Sequence, residues 1–329
     1  MPTNLPPEYY PAEERYREAV TPDEKISALE EMLSLIPKHK GTDHLRADLR
    51  RKLSRLKEAA DLRKGGARVV SPYQIDREGA GQVVVIGPAN SGKSSLVDAL
   101  TNAAPEVAPY PYTTRMPMPG MMAFENVQIQ LIDTPPLDPE DPDRQLLDLV
   151  RRADLILLVL DVQAFPIEAY EETLEVLAAH RIFPTDQAER AAEHRVSWIK
   201  PLLAVVNKTD SEAQDADFEV LCELLGEPVC PLVPISVTND RGLDAFKQAV
   251  YDKLDIIRVY SSPPGKEPNF DAPFVLKRGD TVEDFAAKVH KDFVKSLKSA
   301  RVWGEGVFDG QQVGPEHTVS DRDVVELHV

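Results

Sequence analysis

The stretch GPANSGKSS, residues 87–95, places Gly87, Gly92, Lys93 and Ser94 at the spacing G-x-x-x-x-G-K-[ST]. This combination suits one task, holding a chain of phosphates. Glycines let successive backbone N–H groups curl around an anion, and the positive end of a following helix adds to the attraction. The lysine ammonium brings charge to the outer phosphates, and the serine hydroxyl is suited to Mg²⁺. Asn90, Ser91 and Ser95 complete the candidate phosphate contacts. A glycine-rich turn of no consequence is the bland reading. Against it, the apolar run QVVVI (82–86) precedes the loop and the helix-like SSLVDALTNA (94–103) follows it.

Further along, Asp133 closes the run VQIQLID, where a carboxylate can hold the water of a phosphate-bound Mg²⁺. The run AVVNKTD then offers Asn207, Lys208 and Asp210 at a strand end. Guanine presents N1–H and N2–H₂ donors that adenine lacks, and one carboxylate, Asp210, can accept both. Asn207 and Lys208 would steady the ring and the neighbouring loops. Ser236, closing PIS, is placed to approach the guanine carbonyl with its backbone, and Val237 adjoins it. Each of these is by itself an ordinary polar turn. The ordered set implies a guanine-nucleotide site, with GTP and GDP as ligands, and disfavours a P-loop kinase or general ATPase.

One position resists this pattern. In the sequence Asp133-Thr134-Pro135-Pro136-Leu137, a nucleotide switch of the form Asp-x-x-Gly would end in glycine, and Pro136 stands there instead. The glycine N–H normally donates to the γ-phosphate, whereas proline has no N–H and a fixed φ. A charge-assisted bond of that kind is worth about 1.5–3 kcal/mol, about ten- to a hundredfold in preference for GTP. Leu137, where some GTPases keep a glutamine, cannot orient water. Two repairs are open: a loop shift that offers the Leu137 N–H, or sensing through a switch I threonine in APYPYTTRMPMPG (108–120).

The elements that must position these residues follow from periodicity. Residues 1–80 read as a helical segment. TPDEKISALEEMLSLI carries Thr21 and Glu24 as a capping box and apolar residues at helical spacing. In the stretch 43–64, Leu45, Leu49, Leu53 and Leu56 form one stripe among arginines. Residues 81–258 alternate strand-like runs with helical patterns, the signature of an α/β domain with a mostly parallel sheet covered on both faces. MMAFENVQIQL reads as an antiparallel excursion turning at Glu125-Asn126. A proline-rich linker is expected over 259–273, and a small α+β unit over 274–329 with strand FVLK, a helix begun at Thr281 and a final strand DVVELHV.

The chain of 329 residues carries a formal charge of −17, yet residues 38–68 hold eleven Lys or Arg against four Asp or Glu, a local +7. That asymmetry excludes a protein coated all over by nucleic acid and suggests one basic face, either an RNA contact or a solvated face packing on the next domain. KVHKDFVKSLKSARVWG forms a second basic cluster around Trp303. Two cysteines, Cys222 and Cys230, are too few for a disulfide framework. Neither has a nearby His/Asp arrangement, and His290, His317 and His328 lack metal spacing. No apolar run approaches a membrane span and the N-terminus lacks a signal-peptide core, so a cytoplasmic location is expected.

The set GPANSGKSS, YPYTTR, DTPP, NKTD and ISV, followed by the small α+β unit, resembles the Obg–DRG group of GTPases (developmentally regulated GTP-binding proteins and their relatives). PKHKGTDHLRADLRRKLSRL is similar to the helical leader of DRG-type members, and residues 274–329 resemble a TGS domain, a β-grasp module. The resemblance implies a P-loop G domain and ribosome or RNA contact, through helix 43–64 and the TGS-like unit, in translation or ribosome maturation; slow GTP hydrolysis is expected from Pro136 and Leu137. The resemblance assigns Thr114, with Thr113 as alternative, to Mg²⁺ and the γ-phosphate; Lys93, which brings charge to the β- and γ-phosphates, is the candidate catalytic residue beside Thr114 and Asn90. It also implies that the Asn90 side chain ligates K⁺ between the phosphates, unless it only shapes the loop. Arg115 is read as solvent-facing rather than as an arginine finger. Two departures stand out. Eukaryotic members carry an extra domain after switch II, and about seventeen residues separate Pro136 from Asp154 here. The other departure is Pro136. A guanine-nucleotide-binding scaffold with negligible hydrolysis, binding a protein partner through the TGS-like unit, is the competing expectation.

Overall fold

The computed structural model describes residues 71–101, 116–263 and 267–328, together with 22–36 and a few isolated positions of the N-terminal segment. Two compact units are present, Met1–Ser71 and Pro72–Val329. In the first, helix α1 (Pro22–Leu35) buries Leu29 and Met32, which cluster with Ile36, Tyr9 and Leu49. Arg15 pairs with Glu31 at 2.8 Å. The expected basic helix 43–64 lies outside the described residues apart from Leu49 and Lys52.

The second unit opens with residues 72–80, which were expected to be helical. They run instead as an extended segment beside a strand, with Ala80 N–H donating to the Gln128 carbonyl and Gly79 bridging Ile129. Then come β1 (Gln82–Ile86), α2 (Lys93–Leu100), β2 (Met118–Phe124), β3 (Val127–Asp133), α3 (Arg144–Arg152), β4 (Leu155–Asp161) and α4 (Pro166–Ala179). A short insert follows, β5 (Ile182–Pro184), α5 (Ala188–Ala192) and β6 (Trp198–Lys200). The domain closes with β7 (Leu202–Asn207), α6 (Glu212–Leu225), β8 (Leu232–Pro234) and α7 (Leu243–Leu254). The sheet order is β2-β3-β1-β4-β7-β8, with β2 antiparallel to β3 and the other neighbours parallel. The hairpin turns at Glu125-Asn126, as the sequence pattern implies.

The unbroken apolar runs are explained by burial on both faces. In β1, Val84 and Ile86 pack toward α3, α4 and α6 with Leu146, Val150, Leu177 and Leu221. Val83 and Val85 pack the other way, toward α2 and α7 with Leu96, Phe246 and Val250. Successive residues alternate between the two cores, so a one-residue slip in register would exchange the two faces. Asp143 caps α3 by accepting from Gln145 N–H, and Arg151 and Arg152 sit in its last turn, where cations suit the helix dipole. The insert over 182–200 has no counterpart in the sequence expectation. Its strands are three residues long, below the reach of periodicity, and it is tied on by Arg151 stacking over Trp198 at 4.6 Å and by Lys200 Nζ donating to the Ala153 carbonyl.

One residue after α7, strand β9 (Ile256–Ser261) begins a second sheet with β10 (Phe274–Lys277), β11 (Ser299–Trp303), β12 (Gln311–Val313) and β13 (Val324–His328). Its order is β10-β9-β13-β11-β12. Residues 259–261, expected in the linker, therefore belong to a core strand. Ile257 and Val259 are fully buried with Leu276, Phe285 and Val302, so alternation prevails over the proline-rich composition that follows it. Helix α8 (Val282–Val289) starts with a complete capping box between Thr281 and Asp284, and α9 (Lys291–Ser296) follows it. Where the two sheets meet, the buried Arg258 of β9 pairs with Glu125 at the hairpin tip and with Asp321 at 2.7 Å. Asn126 Nδ2 donates to Tyr260 Oη at 2.7 Å. Among the described residues no helix is long and apolar enough to cross a membrane.

Candidate nucleotide site

Strands β1, β3, β4 and β7 end side by side, with Val85 in register with Asp133 and Asp161 with Asn207. Their following loops therefore gather at one edge of the sheet, the place where parallel α/β sheets bind ligands. The loop after β1 turns through Gly87 at φ 142°, Asn90 at φ 63° and Gly92 at φ 96°. Asparagine is among the few side chains that tolerate the left-handed region. The two glycines are also required sterically. A Cβ on Gly87 would stand 2.3 Å from the Val159 carbonyl oxygen, and one on Gly92 would stand 2.2 Å from Asn207 Nδ2. Gly92 is the N-cap of α2, so the loop runs directly into the positive end of that helix.

Lys93 is buried, and its Nζ donates to the carbonyls of Gly87 at 3.0 Å and Pro88 at 2.6 Å. Ser94 Oγ donates to Asp133 Oδ2 at 2.7 Å, joining the first turn of α2 to the end of β3. Asp133 Oδ1 is buried with no hydrogen-bond partner. Burial pushes the Asp133 carboxyl above its ordinary range, against the opposing pull of the Ser94 bond and the Lys93 charge. An orphaned buried carboxylate oxygen beside a serine hydroxyl is a hard-oxygen donor set of the kind that Mg²⁺ prefers, so the residues present fit that ion.

The base-side residues also converge. Asn207 donates from Nδ2 to the Ser91 carbonyl at 3.1 Å, and its Oδ1 accepts from Val237 N–H at 3.4 Å, so one buried amide joins the phosphate loop to the loop after β8. Asp210 accepts from the Ser236 hydroxyl, and its own carbonyl accepts from Asn239 Nδ2 at 2.9 Å. Ser236 does not present its backbone N–H as expected, because that group donates to the Arg241 carbonyl at 3.0 Å in a tight bridge. Its hydroxyl faces Asp210 instead. Lys208 has φ 67° and its Nζ lies 2.5 Å from Asp161 Oδ2. Asp161 and Arg241, which holds the Thr209 carbonyl at 3.0 Å, had not been singled out from the sequence. For Asp161 a signal existed, since it ends LILLVLD just as Asp133 ends VQIQLID.

At the switch II position, Thr134 Oγ1 donates to the Val85 carbonyl at 2.6 Å. Leu137 N–H donates to the Gly87 carbonyl at 3.2 Å, and the Leu137 side chain is 6% exposed, packed with Val84, Ile86 and Ile132. The N–H considered as a substitute donor is therefore already engaged by the phosphate loop. Pro136 lines a cavity of about 300 Å³ with Pro88, Ala89 and Leu137. Thr113, Thr114 and Arg115 lie outside the described residues. Ser95 is exposed on α2. No metal-ligand cluster of three or more His, Cys, Asp or Glu occurs among the described residues. Both cysteines are free, and Cys230 is buried against the Tyr170 hydroxyl.

Comparison with known proteins bears on the whole arrangement. Residues 82–208 match a family described as 50S ribosome-binding GTPase, and residues 257–329 match the TGS domain. An uncharacterized GTP-binding protein of Methanocaldococcus jannaschii is 31% identical, with 93% of this chain and 92% of that protein covered. Developmentally-regulated G-protein 3 of Arabidopsis thaliana is 28% identical over 92% of this chain and 98% of its own length. Ribosome-interacting GTPase 1 of Saccharomyces cerevisiae is 27% identical over 92% and 98%. A phosphate loop, a carboxylate at the end of β3 and an Asn-Lys-x-Asp clasp, with a TGS domain behind them and similarity along nearly the full length, place the chain in the developmentally regulated (DRG) family of GTP-binding proteins.

Proposed function

We propose that the protein is a Mg²⁺-dependent GTPase of low intrinsic rate that acts as a ribosome- or RNA-associated switch in translation or ribosome maturation. The observation that carries the reading is the Ser94–Asp133 pair at 2.7 Å, with Asp133 Oδ1 buried and without a hydrogen-bond partner and the carboxylate within the field of the Lys93 charge. In this reading Ser94 and Asp133 hold the metal, with Thr114 of switch I completing the set. Gly87, Asn90, Ser91, Gly92 and Ser95 contact the phosphates, and Lys93 offsets charge on the outer ones. Asp210 reads the guanine edge, with Asn207, Lys208, Ser236 and Val237 around it. Low rate follows from two absences of chemistry: Leu137 cannot orient water, and Pro136 has no N–H for the γ-phosphate. K⁺ held by Asn90 would supply the missing positive charge between the phosphates.

The partner reading is supported by the name of the yeast relative and by charge. Lys288, Lys291, Lys295, Lys298 and Arg301 are exposed along α8, α9 and β11, in a chain of −17. Single-turnover GTP hydrolysis in KCl against NaCl tests the enzyme. Potassium-stimulated turnover supports it, and tight binding with negligible turnover in both salts supports a second reading, a nucleotide-binding scaffold. The observation favouring that second reading is the Leu137 N–H bond to Gly87, which fixes switch II to the phosphate loop. Co-sedimentation with ribosomal subunits tests the partner, and absence of association in both GDP and GTP states would remove it.

A further inference from the structure

Asp161 closes β4 in register with Asn207, one strand away from the base-side clasp, and is 9% exposed. Both of its oxygens are engaged. Oδ1 accepts from Gln163 N–H at 2.9 Å, which fixes the carboxylate to its own turn, and Oδ2 takes Lys208 Nζ. The backbones are joined as well, since Val162 N–H donates to the Asn207 carbonyl at 3.1 Å. Lys208, by contrast, is 36% exposed in its side chain, and its φ of 67° puts it in a backbone region that a lysine enters only under constraint. A four-carbon stem with three rotatable donors sweeps a wide volume unless its end is held. Here the end is held by a nearly buried carboxylate, and Lys208 stands in the chain between Asn207 and Asp210, the two residues read as clasping the base.

Resting on the guanine-nucleotide reading above, we infer that Asp161 is a positioning residue for nucleotide binding. It anchors the Lys208 ammonium so that the apolar stem forms one fixed wall of the base slot, and it does so without touching the nucleotide. Affinity gained in this way comes from ordering the wall before the ligand arrives. An ion pair that only braces β4 against the loop after β7 would leave nucleotide affinity alone.

The test is a double-mutant cycle read with the fluescent probe mant-GDP, using Asp161→Asn, Asp161→Glu, Lys208→Met and the double variant Asp161→Asn/Lys208→Met in the full chain. Asn keeps the bond from Gln163 and loses the charge. Expected is mant-GDP affinity weakened about tenfold in Asp161→Asn, largely restored in Asp161→Glu, and no weaker in the double variant than in Lys208→Met alone. In GTP turnover the loss falls on KM rather than kcat. Wild-type affinity in Asp161→Asn, or independent additive losses in the double variant, overturns the inference while the guanine-nucleotide reading stands. Failure of the wild type to bind mant-GDP overturns both. If Asp161→Asn does not fold, Asp161→Glu and Lys208→Met decide: unchanged affinity in Lys208→Met sinks the proposal.

Discussion

Replacing Pro136 by glycine restores an N–H at the position where a γ-phosphate would be sensed, and the structure sets the size of the effect. The loop is held immediately after this residue from two sides. Leu137 N–H bonds the Gly87 carbonyl at 3.2 Å, and its side chain is packed into the core. The substitution therefore adds a donor next to the phosphate loop without releasing the segment. Losing proline's restriction of the unfolded chain destabilises the protein by about 0.4–1 kcal/mol, a melting shift of about 1–4 °C, too small to obscure binding. The gain exists only when a γ-phosphate is present and is that of a charge-assisted hydrogen bond, about 1.5–3 kcal/mol, so the affinity ratio of a non-hydrolysable GTP analogue to GDP should rise by about ten- to a hundredfold. The assay is calorimetric titration of both nucleotides into wild type and Pro136→Gly, with Mg²⁺ present. GDP affinity should hold steady. A ratio that stays within about twofold of wild type, or a GDP affinity that moves as far as that of the analogue, would refute the argument, since the new N–H would then lie out of reach of the third phosphate.

Gly92→Ala should abolish nucleotide binding while the chain still folds, because the new Cβ meets Asn207 Nδ2 and displaces its hydrogen bond to the Ser91 carbonyl; equilibrium dialysis with labelled GDP checks it. Burial raises the Asp133 carboxyl above its ordinary range, so the buried charge costs the folded state stability that is fully felt above the raised value. Mg²⁺ plus nucleotide should therefore raise the melting temperature at neutral pH and lose that effect as pH falls through the raised value, and Asp133→Asn should remove the Mg²⁺ effect throughout. Arg258→Met removes the charge-assisted bonds to Glu125 and Asp321 while leaving both carboxylates part-exposed, and should destabilise the protein by about 1–3 kcal/mol by denaturant unfolding. Arg258 lowers both partners. Its hydrogen bond leads for Glu125, while for Asp321 its bonds outweigh burial. Their contribution is present above the ordinary carboxylate range, is lost as pH falls through the lowered values, and should be missing from the Arg258→Met profile.

The candidate nucleotide site is legible in the sequence because its chemistry is local in the chain. Gly87–Ser94 and Asn207–Asp210 are contiguous motifs on strand ends, and continuous apolar runs announce the strands that carry them. What escaped is non-local. Asp161 acquires meaning only from the register that sets it beside Asn207, and Leu137 only from the fold that turns its N–H onto Gly87. The insert of β5 and β6 was invisible because three-residue strands have no period to read. The start of the second sheet was misplaced for a related reason, since Pro263 and Pro264 advertise a linker just after Ile257 and Val259 have entered a core. The role of Arg258 could not be read at all, as its two carboxylate partners lie far away on either side in sequence.

That junction gives β3 a linking role. One end of the strand is Asp133, at the candidate metal position, and the other end turns at Glu125, which grips Arg258 of the TGS sheet. Seven residues of extended chain, hydrogen-bonded to neighbours on both sides, span about 23 Å. The nucleotide edge of the G domain and the base of the TGS sheet are therefore the two ends of one strand, and only Asp255 separates α7 from β9.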